Sequence, residues 1–172
     1  YIYSTEELSS YNDSKFSKKR NLASQFIKKY PDIELINIDI FDKKIQEQII
    51  ELDEIWSNNK LQEKKEHFAE NEAFALQRVF LSNTNSLISI GLYKENKLVA
   101  FSISELLPNQ YAISHFSKSN IEYVGIYEYL MQENCKLLLK NKRLFFNYEQ
   151  DLGLKNLRFS KNSFRPSCFL KK

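Results

Sequence analysis

Apolar residues recur along the chain in two rhythms, and the change from one to the other divides it into a helical first half and a strand-rich second half. Over 17–31, "SKKRNLASQFIKKYP", Leu22, Phe26 and Tyr30 stand four apart, so one helical face is apolar while Lys18, Lys19, Lys28 and Lys29 take the other. Pro31 closes that helix. A short strand is predicted at 34–40, "ELINIDI", after which Asp42 is placed as N-cap for a helix with Ile45, Ile49, Leu52 and Trp56 along one stripe. A third helix over 70–80 uses Ala73, Leu76 and Phe80. Ahead of all three, "YIYSTEEL" reads as the end of a strand running into a helix start.

From residue 86 the period changes to runs of β-forming residues: "SLISIGLY" (86–93), "KLVAFSISELL" (97–107) and "QYAISHFSK" (110–118). The polar turns "KENK" and "PN" between them have hairpin length, so the three strands form an antiparallel meander. An amphipathic helix follows over 121–140, with Tyr127, Leu130, Met131, Cys135 and Leu138 inward, and "RLFFNYE" (143–149) returns as a buried strand. A strand, a crossover helix and a strand make a parallel pair with a right-handed connection. The closing "SFRPSCFLKK" (163–172) alternates as a last strand, with Pro166 at an edge or bulge.

The fold class expected is α/β (α+β), a mixed central sheet with helices on both faces, and the element order matches the GNAT-type acyltransferase topology. That analogy concerns the fold alone. It directs attention to the open end of the sheet, where "HFSKSNIEYVGIYEYL" (115–130) joins a strand end to the crossover helix.

Composition adds bounds. The 172 residues suit one domain, and an apolar share of 42% with 14% aromatics suits a packed core. No run approaches the ~20 apolar residues of a membrane span and no signal peptide is visible, so a cytoplasmic chain is expected, with peripheral association with the membrane as its alternative. Cys135 and Cys168 have no metal-like spacing and read as reduced thiols. His67 and His115 join no metal constellation; His115, beside the crevice, reads first as a structural histidine and His67 as an exposed one. Charge is uneven: residues 1–31 hold six basic and three acidic groups, 32–146 hold 13 and 17, and 147–172 hold six and two. Ends that fold together would present a positive face to a phosphate-rich partner, whereas lysines that only solubilise two exposed segments would leave the same count.

Candidate chemistry concentrates after the strand at 143–149. Asn147, Glu149, Gln150, Asp151 and Gly153 follow Leu144, Phe145 and Phe146, with Arg158 and Lys161 beyond. Glu149 or Asp151 could take a proton from a hydroxyl or amine, and Arg158 and Lys161 could hold a phosphate or an oxyanion. The same acids and bases often form salt bridges that pin a loop, and on chemistry alone that reading comes first. Acetyl-CoA is not expected: of a glycine-rich pyrophosphate turn only Gly125 is present, and Tyr127 would fill the space of the second glycine, although Lys118 could still balance an anion.

"HFSKSNIEYVGIYEYL" and "NYEQDLGLKNLRFSKNSFRP", preceded by "FSKKRNLASQF" and "LVAFSISELL", resemble the phosphatidylglycerol lysyltransferase C-terminal domain family, closest to its soluble branch. The resemblance runs from about residue 11 to the end and includes the pattern N-x-E-Q-D-L-G-x-x-x-L-R-x-x-K-x-S-x-x-P. It implies tandem GNAT-type domains, this chain being the second and an N-terminal one its partner. It implies transfer of an aminoacyl group from aminoacyl-tRNA to a phospholipid or small-molecule acceptor, with no cofactor. The residues carried over are Asn147, Glu149, Gln150, Asp151, Gly153, Arg158, Lys161 and Pro166, with Lys118 and Gly125 in the earlier motif and Lys19, Arg20 and Asn21 in the first helix. Three functions are therefore expected in descending order: an aminoacyl or acyl transferase, a non-catalytic module binding tRNA, a phospholipid headgroup or a partner domain, and a CoA-dependent acetyltransferase.

Overall fold

The computed structural model describes residues 1–61, 69–82 and 84–170, with the backbone alone for 58–61, 69 and 70; His67 lies outside the described residues. Among the described residues six strands, β1 (Ile2–Ser4), β2 (Glu34–Asn37), β3 (Leu87–Lys94), β4 (Lys97–Leu106), β5 (Tyr111–Ser119) and β6 (Phe145–Asn147), form one open sheet in the order β1-β6-β5-β4-β3-β2. Every neighbouring pair is antiparallel except β5 and β6, which are parallel. The helices are α1 (Thr5–Ser10), α2 (Ser17–Lys29), α3 (Lys43–Leu61), α4 (Ala69–Leu81), α5 (Ile126–Lys140) and α6 (Lys155–Ser163).

The meander forms as its turns predict. Glu95 and Asn96 both take left-handed φ values, 51° and 63°, which suit a tight hairpin between right-twisted strands. Alternation along β4 then serves two layers. Phe101 and Ile103 pack with Ile49, Leu52 and Leu76 of α3 and α4, while Ala100, with Ile90 and Leu92 of β3, packs with Phe26 and Leu130 of α2 and α5. Each Leu, Ile or Phe among them, fully buried, contributes roughly 1.5–3 kcal/mol. Asp42 caps α3 through Oδ1, which accepts from the Lys44 N–H at 2.8 Å.

Four expectations are corrected. On α2, Lys19 turns inward, bonding Glu128 Oε1 at 3.0 Å with its ammonium 3.9 Å from the Phe164 ring centroid, because the C-terminal segment folds back over this helix. On α4, Ala73 is exposed and the inner stripe is Leu76, Val79 and Phe80. Strand β6 is three residues long, and only Phe146 is buried; Phe145 stacks on Tyr111 with centroids 4.9 Å apart and stays partly open. The closing strand does not form: α6 ends at Ser163, and the described residues after it make a single bridge, Ile2 to Cys168. Arg165 takes a left-handed φ of 54° and Pro166 has no N–H, so a ladder cannot propagate there.

The two chain ends meet at this edge: β1 pairs with β6, and the Ser167 N–H donates to the Ile2 carbonyl at 2.8 Å. Cys135 is a buried free thiol and Cys168 an exposed one. No described helix is long and apolar enough to cross a membrane.

Candidate functional site

Strands β5 and β6 pair over three residues, Tyr111 with Phe145, Ala112 with Phe146 and Ile113 with Asn147. There β6 ends, while β5 continues to Ser119. The divergence opens a wedge at the carboxyl ends of the parallel strands, and a cavity of about 740 Å³ fills it. Lys118, Asn147, Glu149, Gln150, Asp151 and Lys161 all line it, so six residues singled out in the sequence converge on one space. Arg158 reaches it only through Asp151. Gly125 and Arg20 belong elsewhere.

Gly125 has a φ of 89°, and a Cβ there would lie 2.4 Å from the Leu22 carbonyl oxygen, so this glycine lets α5 pack onto α2. Arg20 donates to the carbonyls of Tyr11 and Asn12, the latter at 3.3 Å, and ties α2 to the turn after α1.

The loop between β6 and α6 is built around Asp151. Its carboxylate accepts from Arg158 Nε at 2.7 Å, the Tyr1 hydroxyl at 2.6 Å and the Gly153 N–H at 2.9 Å. These donors, Arg158 foremost, hold the Asp151 carboxyl well below the usual carboxylate range. Asn147 Oδ1 accepts from the Glu149 N–H at 2.9 Å, and Glu149 itself sits at φ 56°, which turns the chain over the cavity. Glu149 makes no such set of bonds. Although the residue is exposed at the rim, desolvation raises its carboxyl above the ordinary range, opposed by the positive fields of Lys161 and His115.

Lys161 comes from α6 and is 6% exposed. Its ammonium donates to the Tyr148 carbonyl and lies 4.8 Å from the Tyr148 ring centroid. Burial lowers it to about 8, with Glu149 and then Asp151 pulling the other way. Lys118, on the opposite bank, is held by Glu72 Oε2 at 2.6 Å and Asp53 Oδ1 at 3.2 Å, with Trp56 beneath its ammonium. Trp56 Nε1 donates to the Tyr127 hydroxyl at 3.1 Å, so Tyr127 spans from the start of α5 to α3.

Sequence reasoning missed Tyr1, Asp53, Trp56, Glu72 and Tyr148. Trp56 carried a signal, being the chain's one tryptophan on an otherwise aliphatic stripe. Asp53 adjoins that stripe, but nothing local marks it as the partner of a lysine 65 positions on.

Comparison with known proteins agrees with this geometry. A conserved protein of unknown function from Bacteroides thetaiotaomicron superposes with a TM-score of 0.82 at 26% identity, covering 98% of this chain and 55% of its own. L-PGS from Bacillus licheniformis superposes with a TM-score of 0.64 at 11% identity, covering 96% and 55%. An N-acetyltransferase, PaiA from Thermoplasma acidophilum in complex with coenzyme A, gives 0.56 at 19% identity, over 76% and 87%, which shows the GNAT-like fold. This chain thus spans just over half the length of the first two. No curated protein sequence matches it. The family model described as phosphatidylglycerol lysyltransferase, C-terminal, matches residues 1–172 throughout, and the chain therefore belongs to that family, as an acyltransferase-like domain.

Proposed function

We propose that this domain transfers an aminoacyl group from aminoacyl-tRNA to a hydroxyl or amine acceptor, a phospholipid headgroup being the first candidate. The observation that carries the reading is that Glu149, whose carboxyl is raised, and the buried ammonium of Lys161 line one cavity at the parting of two parallel strands. Glu149 takes the acceptor's proton as the acceptor attacks the donor ester carbonyl. Lys161 steadies the charge that develops on the carbonyl oxygen. Asp151 is committed to Arg158, Tyr1 and Gly153 and serves as the frame of the loop rather than as the base. Acetyl-CoA is no part of the proposed cycle: Tyr127, committed to Trp56, would fill the space that the second glycine of a pyrophosphate turn keeps open.

The test is transfer by the full parent chain from lysyl- or alanyl-tRNA to vesicles containing phosphatidylglycerol. Glu149→Gln should lower kcat by about 10²–10⁴-fold, whereas Asp151→Asn should lower it less and weaken loop order as well. The wild-type rate should fall in acid as Glu149 is protonated, and fall again above about pH 8 as Lys161 loses its proton. Salt-sensitive tRNA binding with no transfer would instead establish the binding-module alternative.

A further inference from the structure

We infer that His115 is a second catalytic group of this cavity, the acid that protonates the departing oxygen while Glu149 accepts the proton of the attacking group. The inference rests on the transferase reading and adds to it a residue and a step.

The placement of His115 comes from a break in strand register. Ile103 of β4 pairs with Phe116 of β5, but the next residue, Ser104, pairs with Ser114, so His115 is the extra residue of a β-bulge. In unbroken alternation residue 115 would face away from Phe116 and Lys118. The bulge brings it onto their face, where it lines the cavity.

Once there it is oriented. His115 Nε2 lies 2.8 Å from Glu105 Oε2, and the other carboxylate oxygen accepts from Ser86 Oγ at 3.1 Å, itself 2.7 Å from Thr84 Oγ1. A carboxylate accepts, so Nε2 carries the hydrogen and Nδ1 is the nitrogen left to exchange a proton. Among the described residues Nδ1 has no hydrogen-bond partner. The charged groups around the ring are Glu105 from β4, Lys118 of its own strand, Glu72 from α4, Glu149 and Asp151 from the β6–α6 loop, and Lys161 from α6.

The step balances. The acceptor's oxygen or nitrogen forms a bond to the ester carbonyl carbon, and its proton passes to the Glu149 carboxylate. The bond from that carbon to the leaving oxygen breaks, and the Nδ1 proton of the imidazolium passes to that oxygen. Transfer of a proton from Glu149 to the imidazole, directly or through one water, restores both groups.

The experiment compares two donors in the full parent chain, with phosphatidylglycerol vesicles as acceptor. Lysyl-tRNA leaves as a ribose hydroxyl and needs a proton; lysine p-nitrophenyl ester leaves as a stable phenolate and does not. His115→Gln should cost about 10²-fold with lysyl-tRNA and stay near wild type with the nitrophenyl ester. Glu149→Gln should lose rate with both. Glu105→Gln, a positioning change, should leave folding intact, lose rate with lysyl-tRNA and stay near wild type with the nitrophenyl ester, since the carboxylate acts only by orienting the ring. Equal losses of His115→Gln on both donors, no loss on either, or equal losses on both donors in Glu105→Gln would each overturn the role of His115 while leaving the transferase reading standing. A wild-type chain that transfers from neither donor would overturn the transferase reading, and this role with it.

Discussion

The two buried lysines of the cavity face each other from opposite banks and are held in opposite ways. Lys118, on the strand bank, has two carboxylates, Asp53 and Glu72, and its charge is fully answered by the protein. Lys161, on the loop bank, has a backbone carbonyl as its direct partner, with Glu149 and Asp151 felt through the field alone. An ammonium enclosed by counter-ions is a girder. One whose charge the fold answers incompletely is available to a ligand, and its lowered pKa records that incompleteness.

The contrast can be broken most forcefully at Lys118. Lys118→Met leaves the buried Asp53 without its counter-ion and beside the half-exposed Glu72, and unfolding in denaturant should show a loss of about 3 kcal/mol. Lys161→Met should do the reverse, lowering transfer by about 10²–10³-fold with a milder effect on folding at neutral pH. Its signature in stability has a defined sign. Because the folded-state value is about 8 against 10.5 for an unperturbed lysine, the unfolded chain binds more protons between those values, so wild-type stability should rise with pH across that window. In Lys161→Met this contribution should vanish, as equilibrium unfolding at successive pH values would show.

The smallest effects sharpen the same distinction between girder and site at two glycines. Gly153 takes a φ of 75°, and a methyl group added there would meet nothing within 4 Å, so Gly153→Ala should cost only the left-handed penalty, about 1–2 kcal/mol. Gly125 has a similar φ, but its added methyl would abut the Leu22 carbonyl at 2.4 Å, and Gly125→Ala should cost about 1–3 kcal/mol more through overpacking. Thermal unfolding of the two variants side by side measures the difference. A smaller loss at Gly125 than at Gly153 would contradict this assignment.

The same residues show what could be read before the fold. The meander was legible because β-branched runs and short polar turns are local signals, and the parallel pairing of β5 with β6 followed from the crossover connection once α5 was recognised. Helix α6 was not legible. Its inner face is formed by Leu157 and Lys161, so a lysine occupies a position where apolar periodicity expects a hydrophobe, and the hydrophobic Phe159 points outward with 78% exposure.

Within the candidate site, sequence determined which residues could carry chemistry, because Asn147 to Asp151 follow one another directly after a strand and must emerge together at its end. It left Glu149 and Asp151 equivalent as bases, and Arg158 and Lys161 equivalent as cations. Tertiary structure separated them: Arg158, Tyr1 and Gly153 converge on Asp151 and leave Glu149 free, while α6 buries Lys161 and leaves Arg158 largely in solvent. Local sequence specifies the type and spacing of charged groups. Their desolvation and their partners come from segments far apart in the chain, and on those the chemistry of each group depends.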